Sequence, residues 1–232
     1  NDEETNLLNR KYFIRKLRRV NDETESNQPA ALIGINLINL QSLLYVHGYQ
    51  VGNELINRTT NLLNQVLGQE SDIAYFSKDY YLALIYDVDS LESTLAELIQ
   101  TFKKPIYLND QKLTIEINLG VTLIPEHSEN AMELLQFVDK SLYQAKELGK
   151  YHTIYFNKDL SETIYNEHLI KTELISGLKN NEFYLLYQPQ VDIKTRTVIG
   201  LEALSRWEND KLGMVAPSVF IPVAEKHGDM IE

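Results

Sequence analysis

Residues 73–86 read IAYFSKDYYLALIY. Two apolar, aromatic-rich runs flank the polar break Ser77-Lys78-Asp79. A tight polar break between runs of strand composition reads as a β-hairpin. The favoured hairpin turns need positive φ, which is why Gly and Asn usually occupy their tips. This tip carries Lys and Asp instead. Either the turn is an ordinary one, or the residues there are what is left of a site that once used glycines.

Around the hairpin, the apolar run ALIGINLINL (31–40) has the length and content of a buried strand. Helical spacing follows at Leu55, Ile56, Thr59, Leu62, Leu63, Val66 and Leu67, and again at Leu91, Leu95, Leu98, Ile99 and Phe102, where Pro105 ends it. YLNDQKLTIEINLGVTLIP (107–125) reads as a strand pair turning at Asn109-Asp110. Leu134, Leu135, Val138, Leu142 and Ala145 define a helix capped by Gly149, and HTIYF (152–156) a last short strand. Residues 31–156 therefore run βααββαββαβ, an order that predicts an α+β or α/β sandwich on a largely antiparallel sheet. A leading helix carries Leu7, Leu8, Phe13, Ile14 and Leu17 on one face, with six Lys and Arg residues of stretch 10–19 mostly on the other. The plain reading of that basic face is a solvated surface.

The polar stretch 157–168 (NKDLSETIYNEH) marks a boundary, giving domains at 1–157 and 169–232 with 158–168 as a linker. Beyond it, a helix through Ile170, Leu174 and Leu178 precedes two strands, FYLLYQPQVDI and TVIGLEALSRW, joined at Lys194-Thr195-Arg196. A helix entered through Pro217 closes the chain.

Composition narrows the function classes. The 232 residues hold 22 Lys and Arg against 33 Asp and Glu, a net charge of −11, which disfavours non-specific binding to nucleic acid. There is no cysteine, so neither disulfides nor thiolate metal sites are available. No apolar run approaches the roughly 20 residues of a membrane span, and no signal peptide is evident, so the expected location is cytoplasmic, without membrane contact by this segment. The chain enters its first helical pattern without a starting Met and reads as a piece of a longer protein, in which membrane tethering would lie upstream.

Four stretches together resemble a GGDEF domain, the nucleotidyl-cyclase palm that condenses two GTP into cyclic di-GMP. DEETNLLNRKYF resembles the family's opening, HGYQVGNELI its Y-G-H-x-x-G-D-x-x-L segment, and LGVTLIPEHSENAMELLQFVDKSLYQAKELGK its closing segment, with Gly120, Asp139, Tyr143, Lys146 and Gly149 in place. SKDYY (77–81) stands where the family has G-G-D-E-F. The resemblance implies that the family's two glycines, which let GTP phosphates approach the backbone, are replaced here by Ser77 and Lys78. It also implies a divalent cation bound by the acidic pair, of which Asp79 remains and the second acid is Tyr80. The family's strand-end metal ligand falls on Asn36, whose amide lacks a carboxylate's charge. Its guanine-reading pair falls on Leu44 and Tyr45, and only Lys146 survives among phosphate contacts, where an isolated Lys is more often a solvated helix residue. The product-binding R-x-x-D motif falls on QESD (69–72), with Gln69 in place of the Arg and Asp72 kept. The resemblance thus implies a cyclase-like palm without cyclase activity and without a metal of its own.

Residues 166–232 resemble the start of an EAL domain, the phosphodiesterase that linearises cyclic di-GMP to pGpG. Glu202-Ala203-Leu204 sits in the context E-A-L-x-R-W, with Arg206 and Trp207. What the resemblance implies is a truncated TIM-type barrel in which Glu202 ligates Mg²⁺ or Mn²⁺, while Gln188, Leu204 and Arg206 contact the dinucleotide. The bland alternatives are a paired edge carboxylate for Glu202 and a surface ion pair for Arg206; Trp207 and Phe220 read as core. A complete (β/α)₈ barrel takes about 250 residues, so this segment alone is expected to hydrolyse nothing. The expected ligand is cyclic di-GMP through a complete EAL domain, with a homodimer as a further expected partner and no nucleic-acid polymer. The expected whole is a phosphodiesterase regulated or dimerised by a silent cyclase domain. The alternative is a cyclic di-GMP receptor or protein-interaction module with both sites decayed.

Overall fold

The computed structural model describes residues 1–22, 29–68, 71–108 and 111–227. It divides into two compact units, Asn1–Ser161 and Glu162–Glu232.

The first unit is built on a six-stranded sheet in the order β1-β3-β4-β2-β7-β8. Its strands are β1 (Leu8–Asn9), β2 (Ala30–Leu37), β3 (Ser71–Ser77), β4 (Tyr80–Ile85), β7 (Ile117–Ile124) and β8 (Thr153–Tyr155). Pairings among β3, β4, β2 and β7 are antiparallel; β1 runs parallel to β3 and β8 parallel to β7. The interior strands β2 and β7 are buried along almost their whole length, which is why their sequences read as continuous apolar runs rather than alternating ones. One face of the sheet packs Ile33, Ile35, Tyr81, Ala83, Leu119 and Val121 against helices α2 (Leu40–Leu67) and α3 (Leu91–Lys103). The other packs Leu32, Leu82 and Leu84 with residues of α1 (Arg10–Asp22) and α4 (Ala131–Leu148). Gly34 and Gly120 lie opposite one another in the centre of that second face, and α4 crosses directly over them.

Several elements depart from the sequence-based expectation. Stretch 107–125 is not one strand pair. It forms a separate small hairpin, β5 (Ile106–Leu108) with β6 (Gln111–Leu113), and then strand β7 of the main sheet; the expected Asn109-Asp110 turn lies outside the described residues. The break has a cause in Asn39, whose amide donates to the Thr114 carbonyl at 2.8 Å and accepts from Glu116 N–H at 2.9 Å. These bonds satisfy the backbone where it leaves the small hairpin. The run 31–40 leaves the sheet at Leu37, and α2 begins at Leu40. Gly48, with φ 82° and ψ 169°, breaks α2 into the two helical pieces the sequence suggested. Leu8 belongs to β1 rather than to the leading helix, which starts one residue after Asn9; the Asn9 side chain accepts from Tyr12 N–H at 3.0 Å and caps it.

Stretch 158–168, expected as a linker, lies within a helix: α5 spans Lys158–Lys179. Its sequence is polar and holds no long apolar block, which is what hid the helix. In the second unit, β9 (Phe183–Val191), β10 (Val198–Asn209) and β11 (Gly213–Val215) form an antiparallel sheet in the order β11-β10-β9, followed by α6 (Pro217–His227). Trp207 and Phe220 are core, packed with Ile170, Leu174, Val223 and Ala224. This is an open sheet with flanking helices, the beginning of a barrel and not a closed one. Among the described residues no helix is long and apolar enough to cross a membrane.

Candidate functional site

The hairpin at residues 73–86 is formed by β3 and β4, with Ser77 paired to Tyr80 and Lys78-Asp79 at the tip. None of these four residues has positive φ, and a register shift between Tyr75 and Ser77 absorbs the twist the turn would otherwise need. The tip is therefore an ordinary turn that runs without glycine. Because β4 pairs with β2, Tyr80 comes opposite Asn36. The Asp79 carbonyl accepts from Leu37 N–H at 2.8 Å and from the Asn36 side-chain amide at 3.1 Å. The Asp79 carboxylate accepts from the Ser77 hydroxyl at 2.7 Å.

Asn36, Ser77, Asp79, Tyr80 and Lys146 all line one cavity of about 310 Å³, together with Asp139, Leu142 and Tyr143 of α4. Lys78 is exposed and does not line it. One contact among these lining residues had no counterpart in the sequence. The Tyr80 hydroxyl donates to Asp139 at 2.7 Å, across 59 residues of sequence. Burial and the neighbouring Asp139 carboxylate push the Tyr80 phenol far above its ordinary value. Burial raises Asp139 as well, against the opposing pull of the Tyr80 hydroxyl and of Arg10. The Tyr80 ring meets Phe76 edge-on at 5.8 Å, Phe76 meets Phe13, and the Arg10 guanidinium lies 5.5 Å from the Phe76 ring centre. The only sequence signal for the pair was Asp139 itself, an acid kept in the closing segment.

The remaining positions carried over by resemblance are also in view. Leu44 is half-buried and packs on Gly52, where a Cβ would fall 1.9 Å from Leu44 Cδ2. Tyr45 is 93% exposed. Asp72 forms an ion pair with Lys16 and accepts from the Tyr86 hydroxyl at 2.7 Å. Gln69 lies outside the described residues.

In the second unit, β9 and β10 bring Gln188 directly opposite Glu202, Leu186 opposite Leu204, and Tyr184 opposite Arg206. Alternation along β10 places Glu202, Leu204 and Arg206 on one face and Trp207 on the other. Glu202 is exposed, and Arg206 Nη1 donates to the Ser205 carbonyl at 2.8 Å. Among the described residues no three His, Cys, Asp or Glu side chains converge as a metal-binding group. A polar network joining Glu173, Glu182, Trp207, Asn209 and Lys211 had no counterpart in the sequence reading.

The comparisons agree with this division. Residues 1–152 match the family described as diguanylate cyclase, GGDEF domain, and residues 171–232 match the EAL domain. An uncharacterized signaling protein of Caulobacter vibrioides is 31% identical over 229 residues, which are 97% of this chain and 28% of that protein. The cyclic di-GMP phosphodiesterase NbdA of Pseudomonas aeruginosa is 29% identical over 183 residues, 78% of this chain and 23% of NbdA. The chain thus spans about a third or less of these relatives' length. Among solved structures, the isolated GGDEF domain of YfiN (TpbB) from Pseudomonas aeruginosa superposes with a TM-score of 0.67 at 20% identity, covering 71% of this chain and 99% of that one. At that identity the likeness speaks for the fold alone.

Proposed function

The chain belongs to the diguanylate cyclase GGDEF-domain family and runs on into part of an EAL domain, and on that basis we propose that its first domain is a silent cyclase palm regulating or dimerising a cyclic di-GMP phosphodiesterase. The domains are assigned as 1–157 and 169–232, with 158–168 a helical connector. Both act in the cytoplasm.

The observation that carries the reading is Tyr80. It holds the position of the second acid, and its hydroxyl is spent on Asp139 inside the cavity. In-line attack on a nucleotide phosphate needs cations held by several anionic oxygens. The donor set here does not fit that need. Asn36 turns its NH₂ to the Asp79 carbonyl, Asp79 already accepts from Ser77, and Asp139 from Tyr80. Leu44 presents hydrocarbon where a guanine edge would be read.

The second site retains its binding chemistry. Glu202 offers a hard oxygen ligand on the same face as Arg206, a phosphate-binding fork, with Gln188 opposite. A Mg²⁺ or Mn²⁺ ion takes about six ligands, so Glu202 fits such an ion only as one member of a site completed by other residues of a full EAL domain. When bound there, the ion would supply an activated water; Gln188, Leu204 and Arg206 would hold and orient the dinucleotide.

Two assays test the reading. The purified chain with GTP and Mg²⁺ is expected to form no cyclic di-GMP, and product formation would overturn the silent palm. The full-length protein with cyclic di-GMP and Mn²⁺ is expected to release pGpG. Tight binding without turnover would instead favour the receptor reading.

A further inference from the structure

The polar network of the second unit is not accounted for by either assignment. Glu182, just before β9, accepts with one carboxylate oxygen from the Trp207 indole N–H at 3.0 Å and from the Asn209 amide at 2.8 Å. Its backbone joins the same structure: the Glu182 carbonyl accepts from Glu208 N–H at 3.1 Å, and its N–H donates to the Gly177 carbonyl at 3.0 Å. Asn209, only 3% exposed, uses its carbonyl oxygen to hold the N–H groups of Lys211 and Leu212 at 3.0 and 2.9 Å. Gly177 of α5 lies close against the pair, since a Cβ there would fall 2.8 Å from Trp207 Nε1 and 2.9 Å from Glu182 Oε2.

Trp207 pairs with Phe183, the residue after Glu182, and the register from that pair runs unbroken to Gln188 opposite Glu202. At the hairpin end the register shifts between Val198 and Gly200, so the pairing made at the turn is not the one that runs on to Trp207. A slip of one residue would carry Glu202, Leu204 and Arg206 to the other face of the strand. We propose that Glu182 is the positioning residue for this face: by holding Trp207 and Asn209 it sets the β9–β10 register and keeps Gln188 opposite Glu202. The functional weight of that face rests on the EAL reading above; the positional claim does not.

The chain has no cysteine and a single tryptophan, which makes a direct test available. A Gln188→Cys/Glu202→Cys pair in the 232-residue chain is expected to oxidise to an intrachain disulfide in high yield. Adding Glu182→Ala should lower that yield about tenfold, as a lost register would, and shift Trp207 emission to the red. Glu182→Gln keeps an acceptor oxygen for the indole and should restore both. Glu173→Gln, which removes the other carboxylate from Asn209, should leave the crosslink unchanged. Should the alanine variant not fold, Glu182→Met fills the space without accepting a hydrogen bond and carries the same expectation. Full crosslinking with unchanged emission in either variant overturns the inference, as does an equal loss in Glu173→Gln. Failure of the full-length wild type to bind cyclic di-GMP would sink the EAL reading and leave the crosslinking result standing.

Discussion

Gly34 and Gly120 face one another across β2 and β7, and neither has room for a side chain. A Cβ on Gly34 would meet Val138 Cγ1 at 2.4 Å, and one on Gly120 would meet the Val138 carbonyl oxygen at 2.7 Å and Leu142 N at 2.9 Å. This pair seats α4, and α4 carries Asp139, Tyr143 and Lys146 to the cavity.

Gly120→Ala therefore presses on backbone and should destabilise the first unit by about 1–3 kcal/mol. Gly34→Ala meets only side-chain atoms, which can move, and should cost less. Urea denaturation of the two variants, followed by far-UV circular dichroism, checks the order.

Tyr80→Phe removes the donor to Asp139 and should cost about 1 kcal/mol or less, because the pair is partly wet. Its pH signature is more telling. Asp139 is raised by burial, so its contribution to stability is full below the ordinary carboxylate value and is lost as pH rises through its folded value. Without the Tyr80 hydroxyl, which favours the ionised form, that loss should move to higher pH. An NMR titration of the Asp139 carboxyl in wild type and Tyr80→Phe measures the displacement, and a downward move would contradict the account.

Restoring the hairpin alone should not restore synthesis. The triple variant Ser77→Gly, Lys78→Gly, Tyr80→Glu still lacks a carboxylate at Asn36 and a polar reader at Leu44. It is expected to make no cyclic di-GMP from GTP and Mg²⁺ by chromatography of the nucleotide products.

His127 Nδ1 accepts from Leu123 N–H at 3.0 Å, and its ring meets Phe156 edge-on. Burial lowers its pKa, with Glu126 opposing. A depressed histidine stabilises the fold above its ordinary value of 6.5 and loses that contribution as pH falls through its folded value. The first unit should lose stability below that pH by less than about 1 kcal/mol, given the ring's partial exposure. Melting midpoints at pH 5 and pH 7.5 should converge in His127→Gln.

Much of the architecture was legible because local pattern and tertiary burial agree. The continuous apolar run of β2 and the strand-turn-strand composition of 73–86 each point to the element that forms. What stayed hidden depends on partners far apart in sequence. Asn39 looks like a loop polar residue until Thr114 and Glu116 arrive beside it. Asp139 looks like a solvated helix acid until Tyr80 reaches it. The polar half of α5 gave no periodic signal because its sequence carries no long apolar block. Glu182 was hidden for a related reason: its partners Trp207 and Asn209 lie on another strand.

The tip at Lys78-Asp79 turns without a positive φ, so almost any residue can stand there without folding strain. Natural variation at those positions is consequently free of the scaffold's veto. Comparing tips across an evolutionary lineage would record what ligands were gained or abandoned, while saying almost nothing about how well each descendant folds.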